Sequence, residues 1–211
     1  MMRCIKILIF FACLGPVVSL AWKAYSGGLG ANPIEFITHA TGDWTLIFLC
    51  VTLTISPLRI LSKQYWLIRL RRMLGLFAFF YGVLHFTTYI WLDKFFDVHE
   101  MIKDVAKRPF ITAGFTAFVL LIPLAITSTS GWIRRLGGKN WNLLHRLIYV
   151  SAVAAIIHYI WLVKADLTKP LRYAAVVGVL LGYRILAWSV PLIRSKKPIV
   201  FPRKPTEVPE S

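Results

Sequence analysis

Three of the five histidines stand inside or at the edge of long apolar blocks, where an ionisable side chain is unusual. His85 lies in the third such block, and His145 and His158 lie in the fifth. An ionisable group in a bilayer is costly unless it faces the interior of a helix bundle and has a partner there. The iron of a haem is one such partner, because neutral imidazole is a common axial ligand. An interhelical hydrogen bond or a proton relay is the alternative, but the predicted spans contain no carboxylate, and this favours haem.

The spacing of the histidines limits which of them can share one iron. His145 and His158 are 13 positions apart, a rise of about 20 Å on an α-helix, and they point roughly 140° apart at about 100° per residue. One of them must therefore lie on a bend or a terminal turn if both face the same neighbour. His85 and His158 lie at similar positions in two predicted spans that run in the same direction. We predict that these two histidines lie at matching depth and ligate one haem b.

His145 is then left near the opposite side of the membrane. Its counterpart on the third span would be Arg72 or Arg71, and neither position holds a histidine. An arginine could complete the ligation of a second haem with His145, pair with haem propionates, or anchor the helix at the membrane surface. The residues leave one and two haems per chain open.

The elements that must position these side chains are six apolar blocks. The chain has 211 residues, of which 57% are hydrophobic and 16% charged, and its mean hydropathy is +0.65. Blocks of about 18 to 20 apolar residues cross about 30 Å of hydrocarbon as helices, because lipid offers the backbone no hydrogen-bond partners. We predict an all-α integral membrane protein, a bundle of six transmembrane helices over residues 5–22, 44–61, 73–92, 110–128, 145–163 and 172–190.

The first block is interpreted as a retained helix and not as a signal peptide, because Pro16 and Trp22 fit a helix end at the interface and the block is long for a signal sequence. Residues 1–190 are then one transmembrane haem-binding domain. Residues 191–211 carry five prolines among charges and are predicted to be a basic, Pro-rich cytoplasmic tail.

The distribution of charge orients the bundle. The net charge is +16, but the basic residues stand in short clusters between apolar blocks, which argues against nucleic-acid binding. Sixteen of the 25 lysines and arginines fall on the side of the two termini and eight on the other side. This bias predicts that both termini are cytoplasmic, and the eight tryptophans at or near span ends fit an aromatic belt in the bilayer.

The remaining candidate ligands carry weaker patterns. His39 and His99 are predicted to be solvated histidines in loops on the side opposite the termini. Cys4, Cys13 and Cys50 form no C-x-x-C pair and are predicted to be small buried hydrophobes. No histidines stand four apart and no Cys/His cluster occurs, so zinc is not indicated.

Short motifs in a fixed order make the chain similar to a known family. They are Gly27-Gly28-Leu29-Gly30-Ala31-Asn32-Pro33, His39-Ala40-Thr41-Gly42, Ser56-Pro57-Leu58-Arg59, Arg71-Arg72-Met73-Leu74-Gly75-Leu76, Leu84-His85 with Tyr89, Thr127-Ser128-Thr129, Leu136-Gly137 with Lys139 and Trp141, Leu144-His145, and His158-Tyr159. In this order and spacing they resemble the MsrQ (YedZ) family, within the ferric-reductase-like transmembrane superfamily. The resemblance runs nearly end to end.

The resemblance implies a function that composition cannot show. Such proteins are haem-binding subunits of a periplasmic methionine-sulfoxide reductase system in the bacterial inner membrane. The resemblance implies that they take electrons from the quinone pool or from flavin reduced by a cytoplasmic flavin reductase, and deliver them to a periplasmic, molybdopterin-containing, MsrP-like subunit that repairs oxidised proteins. The resemblance assigns haem to His85, His145 and His158 and implies FMN, for which the sequence indicates no residues. The superfamily often has four ligand histidines, two on each of two helices. This chain departs from that pattern at Arg71, where it has no histidine.

The interpretation is therefore an electron-transfer subunit and not the catalytic subunit of the system. Residues 27–33 and 93–108 are the exposed segments from which a docking surface for the acceptor would be built. A stand-alone membrane ferric or quinone reductase is the first alternative, distinguished only by its acceptor. A non-haem transporter with histidine proton relays is the second, but the inverted repeats typical of such proteins are not evident in the sequence.

Overall fold

The computed structural model describes residues 2–163 and 165–194, and this part of the chain forms helices and no strand. Six segments are long and apolar enough to cross a membrane, which confirms the predicted all-α bundle of six spans. The α-helices are α1 (Met2–Tyr25), α2 (Pro33–Leu61), α3 (Ile68–Thr88), α4 (Val98–Lys107), α5 (Pro109–Ile126), α6 (Ser130–Leu144), α7 (Leu147–Leu162) and α8 (Thr168–Arg194). A 3₁₀ turn (Tyr65–Leu67) precedes α3, and a π-helical turn (Tyr89–Asp93) follows it.

The start of α2 is the largest departure from the predicted spans. The helix begins at Pro33, a favourable first-turn residue, and Asn32 caps it by accepting a hydrogen bond from the amide of Glu35. The prediction that this span starts at residue 44 is wrong, because the first turns are rich in polar side chains. Thr41 among them is buried, and its hydroxyl donates to the carbonyls of Ile37 and Thr38 within the helix.

The segment between α3 and α5 is also more regular than predicted. It contains the π-helical turn and α4, an amphipathic helix whose N-cap is Asp97. His99 therefore lies on α4, and His39 lies on α2, so their assignment to loops is wrong. Both side chains are nevertheless exposed.

The bundle is built from two tightly packed helix pairs, α2 with α3 and α5 with α7. Stacked aromatic rings fill the first pair, with ring centroids 5.2 Å apart for Phe48 and Tyr81 and 5.7 Å apart for Phe48 and Phe77. The second pair is joined by the buried hydroxyl of Ser151, which donates to the carbonyl of Ala117 at 2.8 Å. These two pairs carry the histidines.

Helix α1 lies at the edge of the bundle with most of its surface exposed. The buried hydroxyl of Tyr81 donates to the carbonyl of Cys13 at 2.8 Å and accepts from the amide of Val17 at 3.2 Å. Tyr81 therefore enters the backbone ladder of α1 beside Pro16, which has no amide hydrogen to donate. This contact ties α1 to α3.

Two of the three cysteines are buried as predicted, Cys13 and Cys50. Cys4 is exposed, so its predicted burial is wrong. It lies near the start of α1, where that helix has little packing against its neighbours. The three thiols form no disulfide in the described residues.

His145 lies on a terminal turn at the end of α6 and not within α7, the helix that carries His158. Gly137 interrupts α6 with a positive φ of 72°, a conformation that glycine adopts without strain. α6 then ends with His145 as its C-cap, and α7 begins at Leu147. The predicted Pro-rich tail lies, from residue 195 onward, outside the described residues.

Candidate functional site

His85 on α3 and His158 on α7 face each other across the centre of the bundle. Their ring centroids are 6.2 Å apart, and the ring planes are inclined at 73°. Two imidazoles that bind one metal ion from opposite sides, with metal–nitrogen bonds of about 2 Å, place their centroids roughly 6 Å apart. The structure therefore brings the predicted ligand pair together at the separation that one haem iron requires.

Hydrogen bonds to the backbone orient both rings. Nδ1 of His85 lies 2.9 Å from the carbonyl oxygen of Thr38, and Nδ1 of His158 lies 2.6 Å from that of Phe110. A carbonyl can only accept, so each Nδ1 carries the proton and each Nε2 keeps a free lone pair. Among the described residues neither Nε2 has a hydrogen-bond partner, and this tautomer is the one that metal-binding histidines adopt when a carbonyl supports them.

A cavity of about 930 Å³ surrounds the two imidazoles. It lies between α2, α3, α5 and α7, and most of the side chains that line it are apolar, among them Leu46, Leu49, Phe86, Phe118, Leu121 and Ala155. A large apolar cavity with a few convergent polar groups is typical of a cofactor site. The size, the lining and the two free imidazole nitrogens fit a haem.

Glycines allow the neighbouring helices to approach the two rings. A Cβ atom on Gly42 of α2 would lie 3.2 Å from Nδ1 and Cε1 of His85, and one on Gly114 of α5 would lie 2.7 Å from Nδ1 of His158. Both positions therefore leave room for an imidazole that any larger residue would displace. Gly42 belongs to a motif quoted above, but neither glycine was predicted to be a site residue.

Helix α4 covers one end of the cavity. Its apolar face, with Val98, Met101, Ile102 and Val105, lines the cavity, and the buried carboxylate of Asp104 fastens it. Lys94 Nζ lies 2.5 Å and Arg108 Nε 3.2 Å from this carboxylate, and the Tyr89 hydroxyl donates to it at 3.4 Å. The hydrogen bond from Lys94, reinforced by the charge of Arg108, lowers the pKa of Asp104 below its usual range.

A carboxylate lies within a spanning helix, contrary to the prediction. Asp43 stands one residue before the predicted span 44–61, but in the structure it follows Gly42 on α2 and lines the cavity together with Tyr159. The polar residues before position 44 lower the local hydropathy, so this part of the helix was not predicted as a span. The carboxylate nevertheless takes no part in the hydrogen bonds of the two facing histidines.

His145 lies apart from the facing pair. Its Nε2 is 3.0 Å from Thr127 Oγ1, and the hydroxyl proton of Thr127 already donates to the carbonyl of Pro123. Nε2 therefore carries the proton, and the free lone pair is on Nδ1, the reverse of the other two histidines. The ring also stacks on Trp141, with centroids 3.9 Å apart.

Arg71 and Arg72 lie near the start of α3, far along the helix from His85. The side chain of Arg72 is exposed and that of Arg71 is half-buried. Arg71 lies within electrostatic range of His145 and of the buried Arg184. The structure thus groups Arg71 with His145 and leaves Arg72 at the surface.

Sequence reasoning missed the backbone carbonyls, the glycines and the covering helix, which surround the histidine pair. The spacing between each histidine and its supporting carbonyl is one regularity that the sequence contains. The carbonyl that supports His85 lies 47 residues before it, and the one that supports His158 lies 48 residues before it. A nearly equal spacing of this kind can be recognised only once the two partners of each contact are known.

Comparison with known proteins identifies the family of the chain. The family described as "Ferric reductase like transmembrane component" matches residues 40–156, a range that includes His85 and His145 and ends two residues before His158. Three relatives carry the name "Protein-methionine-sulfoxide reductase heme-binding subunit MsrQ". The protein of Herminiimonas arsenicoxydans is 62% identical over 88% of this chain and 86% of its own length. Those of Ralstonia nicotianae and Azospira oryzae are 51% and 53% identical, over 87% and 86% of this chain and 86% and 78% of their own lengths. The chain therefore belongs to the ferric-reductase-like transmembrane family and, within it, to the MsrQ family.

Proposed function

We propose that the chain is the haem-binding, electron-transfer subunit of a methionine-sulfoxide reductase system in the bacterial inner membrane. The observation that carries the proposal is the pair of facing imidazoles, His85 and His158, each with Nδ1 bonded to a carbonyl and Nε2 free toward an apolar cavity. These two residues would hold haem b, which supplies one-electron transfer when bound. The printed names of the relatives, which describe a heme-binding subunit, support the same assignment.

The position of the site suggests the direction of electron flow. The cavity opens beneath α4, at the end of the bundle opposite the start of α1. With both termini in the cytoplasm, as the charge distribution predicts, this end is periplasmic. We propose that a periplasmic, molybdopterin-containing, MsrP-like subunit docks there on residues 27–33 and 93–108 and receives the electrons.

Electrons would enter from the opposite side. We propose the quinone pool and reduced flavin, FMN included, as donors, with a cytoplasmic flavin reductase as the soluble source of flavin. Sulfoxide reduction takes up two electrons and two protons and releases water, so the acceptor must collect electrons that a haem passes singly. The role of this chain in the proposal is to hold the carrier and to exclude water from it.

The geometry around His145 limits how this residue could ligate a second haem. His145 presents Nδ1, because its Nε2 donates to Thr127. Ligation through Nε2 would require that this hydrogen bond be given up and the stack on Trp141 be rearranged. Arg71 is the nearby cation that could complete such a site or pair with a propionate.

Absorbance spectra of the purified protein test the haem assignment. Oxidised and dithionite-reduced spectra, with a pyridine-haemochrome count per chain, would be recorded for the native chain and for His85→Ala, His145→Ala and His158→Ala. The exposed His99, which does not line the cavity, provides a matched control, His99→Ala. We expect a b-type spectrum that is lost in His85→Ala and His158→Ala and kept in this control.

The outcomes separate the alternatives. Halving of the haem count in His145→Ala establishes a second haem, and an unchanged count establishes one. A native protein that stays colourless after reconstitution with haem would refute the electron-transfer function. Oxidation of the reduced chain by an MsrP-like subunit with methionine sulfoxide tests the acceptor. If ferric iron or a quinone alone oxidises it and this mixture does not, the stand-alone reductase is correct.

A further inference from the structure

Two helices present the same local unit to the two facing histidines. On α2 the carbonyl of Thr38 accepts from His85, and Gly42, one turn later, lies against the face of that ring. On α5 the carbonyl of Phe110 accepts from His158, and Gly114, again one turn later, lies against its face. In each case the glycine follows the carbonyl by four residues. The pairs α2–α3 and α5–α7 therefore build the two halves of the site in the same way.

These two glycines differ from the others in how closely they meet an imidazole. A Cβ on Gly114 would lie 2.7 Å from Nδ1, 2.9 Å from Cε1 and 3.0 Å from Cγ of His158. The corresponding distances at Gly42 are 3.2 Å to both Nδ1 and Cε1 of His85. A Cβ on Gly75 would make only an ordinary contact of 3.6 Å with Thr52, and one on Gly178 would have no atom within 4 Å.

We propose that Gly42 and Gly114 are positioning residues that, with the carbonyls of Thr38 and Phe110, set the planes of the two iron-ligating imidazoles. This inference rests on the proposed haem site. In each half of the site the hydrogen bond fixes the position of Nδ1. Contact between the ring face and the glycine backbone limits rotation of the imidazole about its Cβ–Cγ bond. The 73° angle between the two rings is therefore imposed from outside, by α2 and α5.

The angle between the rings has an electronic consequence that can be measured. Each imidazole donates from its π orbital into the iron d orbital that lies perpendicular to its ring plane. Two parallel rings both raise the energy of the same d orbital and so separate it from the second one. Two nearly perpendicular rings each raise a different d orbital and leave the two close in energy. A ferric low-spin iron with closely spaced orbitals gives an EPR signal with an unusually large maximum g value. The carbonyl bonds also make each imidazole more basic, which stabilises the ferric state.

The test substitutes each glycine by alanine in the full chain, purified and loaded with haem. Gly75→Ala and Gly178→Ala are matched controls in α3 and α8. Haem per chain, the EPR spectrum of the ferric protein and the midpoint potential would be measured, with size-exclusion chromatography to verify folding. We expect a large maximum g value in the native protein and in both controls.

The two variants should differ in severity. Gly42→Ala asks His85 to move by a few tenths of an ångström, so haem should be retained while the maximum g value and the midpoint potential change. Gly114→Ala forces a larger displacement of His158, so the haem content should fall at least several-fold or the iron should become high-spin. This order follows from the 3.2 Å and 2.7 Å contacts.

The inference and the function it rests on can fail separately. If the native protein binds haem through His85 and His158 but Gly42→Ala and Gly114→Ala keep its EPR spectrum and potential, only the inference is overturned. The inference alone is also overturned if the EPR spectrum of the native protein lacks the large maximum g value expected of nearly perpendicular rings. If the native protein binds no haem, the proposed function falls, and the inference falls with it. A poorly folded Gly114→Ala leaves the decision to Gly42→Ala.

Discussion

Replacing Asp104 by asparagine is expected to loosen α4 over the cavity without unfolding the bundle. The carboxylate binds Lys94 and Arg108 and accepts from Tyr89, and these contacts join α4 to the end of α3 and the start of α5. Asparagine has nearly the same shape and keeps one acceptor oxygen, but it loses the charge. The hydroxyl of Thr112, which donates to the carbonyl of Val105, remains as a second attachment.

The size of the effect follows from the exposure of each partner. The side chains of Lys94 and Asp104 are 15% and 7% exposed, so their ion pair is shielded from water. The Arg108 side chain is 55% exposed, so its contribution is small. Loss of the charged hydrogen bond from Lys94 should cost about 2 kcal/mol, which raises the equilibrium constant for local opening roughly 30-fold.

Hydrogen exchange of the amides in Val98–Lys107, measured by mass spectrometry in lipid nanodiscs, reports this opening. Glu100→Gln is the matched control, because it removes an ion pair of the same helix, Lys103 with Glu100, whose side chains are 46% and 42% exposed. Because water screens that pair on both sides, its loss should change the exchange of α4 far less than the loss of the Asp104 charge. Equal exchange in Asp104→Asn and Glu100→Gln would refute the argument that burial makes the Asp104 cluster the main anchor of α4.

The same cluster predicts a pH dependence. The pKa of Asp104 is lowered in the folded chain by the hydrogen bond from Lys94, so its contribution to stability is fully present above the unfolded value of about 4. It is lost only as the pH falls through the lower folded value. Protection of α4, corrected for intrinsic exchange rates, should therefore be constant from neutral pH down to about 4 in the native chain. Loss of protection well above that range would contradict the assignment.

Three further substitutions test individual contacts of the bundle. Tyr81→Phe removes the hydroxyl that enters the backbone of α1 at Cys13 and should lower stability by about 1 kcal/mol, seen as faster proteolysis of α1 in detergent. Ser151→Ala removes the hydrogen bond from the Ser151 hydroxyl to the carbonyl of Ala117 and should cost about 1 kcal/mol, measured as a lower Tm with an unchanged haem spectrum. Arg184→Lys loses a forked pair of hydrogen bonds, at 2.8 and 2.9 Å, and should cost about 2 kcal/mol, measured as a larger fall in Tm than for Ser151→Ala.

The sequence alone determined that the protein is an all-α membrane protein. In lipid the backbone must make its hydrogen bonds internally, so long apolar blocks fold as helices. The sequence also predicted which two histidines face each other, for a related reason. His85 and His158 are costly in a membrane without a partner, and helical rise alone places them at one depth. The angular offset between His145 and His158 predicted a bend or a terminal turn only if both face one neighbour, and the structure places His145 at the C-cap of α6, apart from the facing pair.

Only the tertiary structure decided how the pair is held. The Thr38 and Phe110 carbonyls are backbone groups, and the approach of Gly42 and Gly114 to the rings depends on which helices become neighbours. Hydropathy also hid the first turns of α2 and all of α4, since the polar residues there make their hydrogen bonds inside the fold. Local sequence fixes the type and depth of a side chain in a membrane helix. Its orientation is set by contacts between helices far apart in the chain, and a single sequence does not record which helices meet.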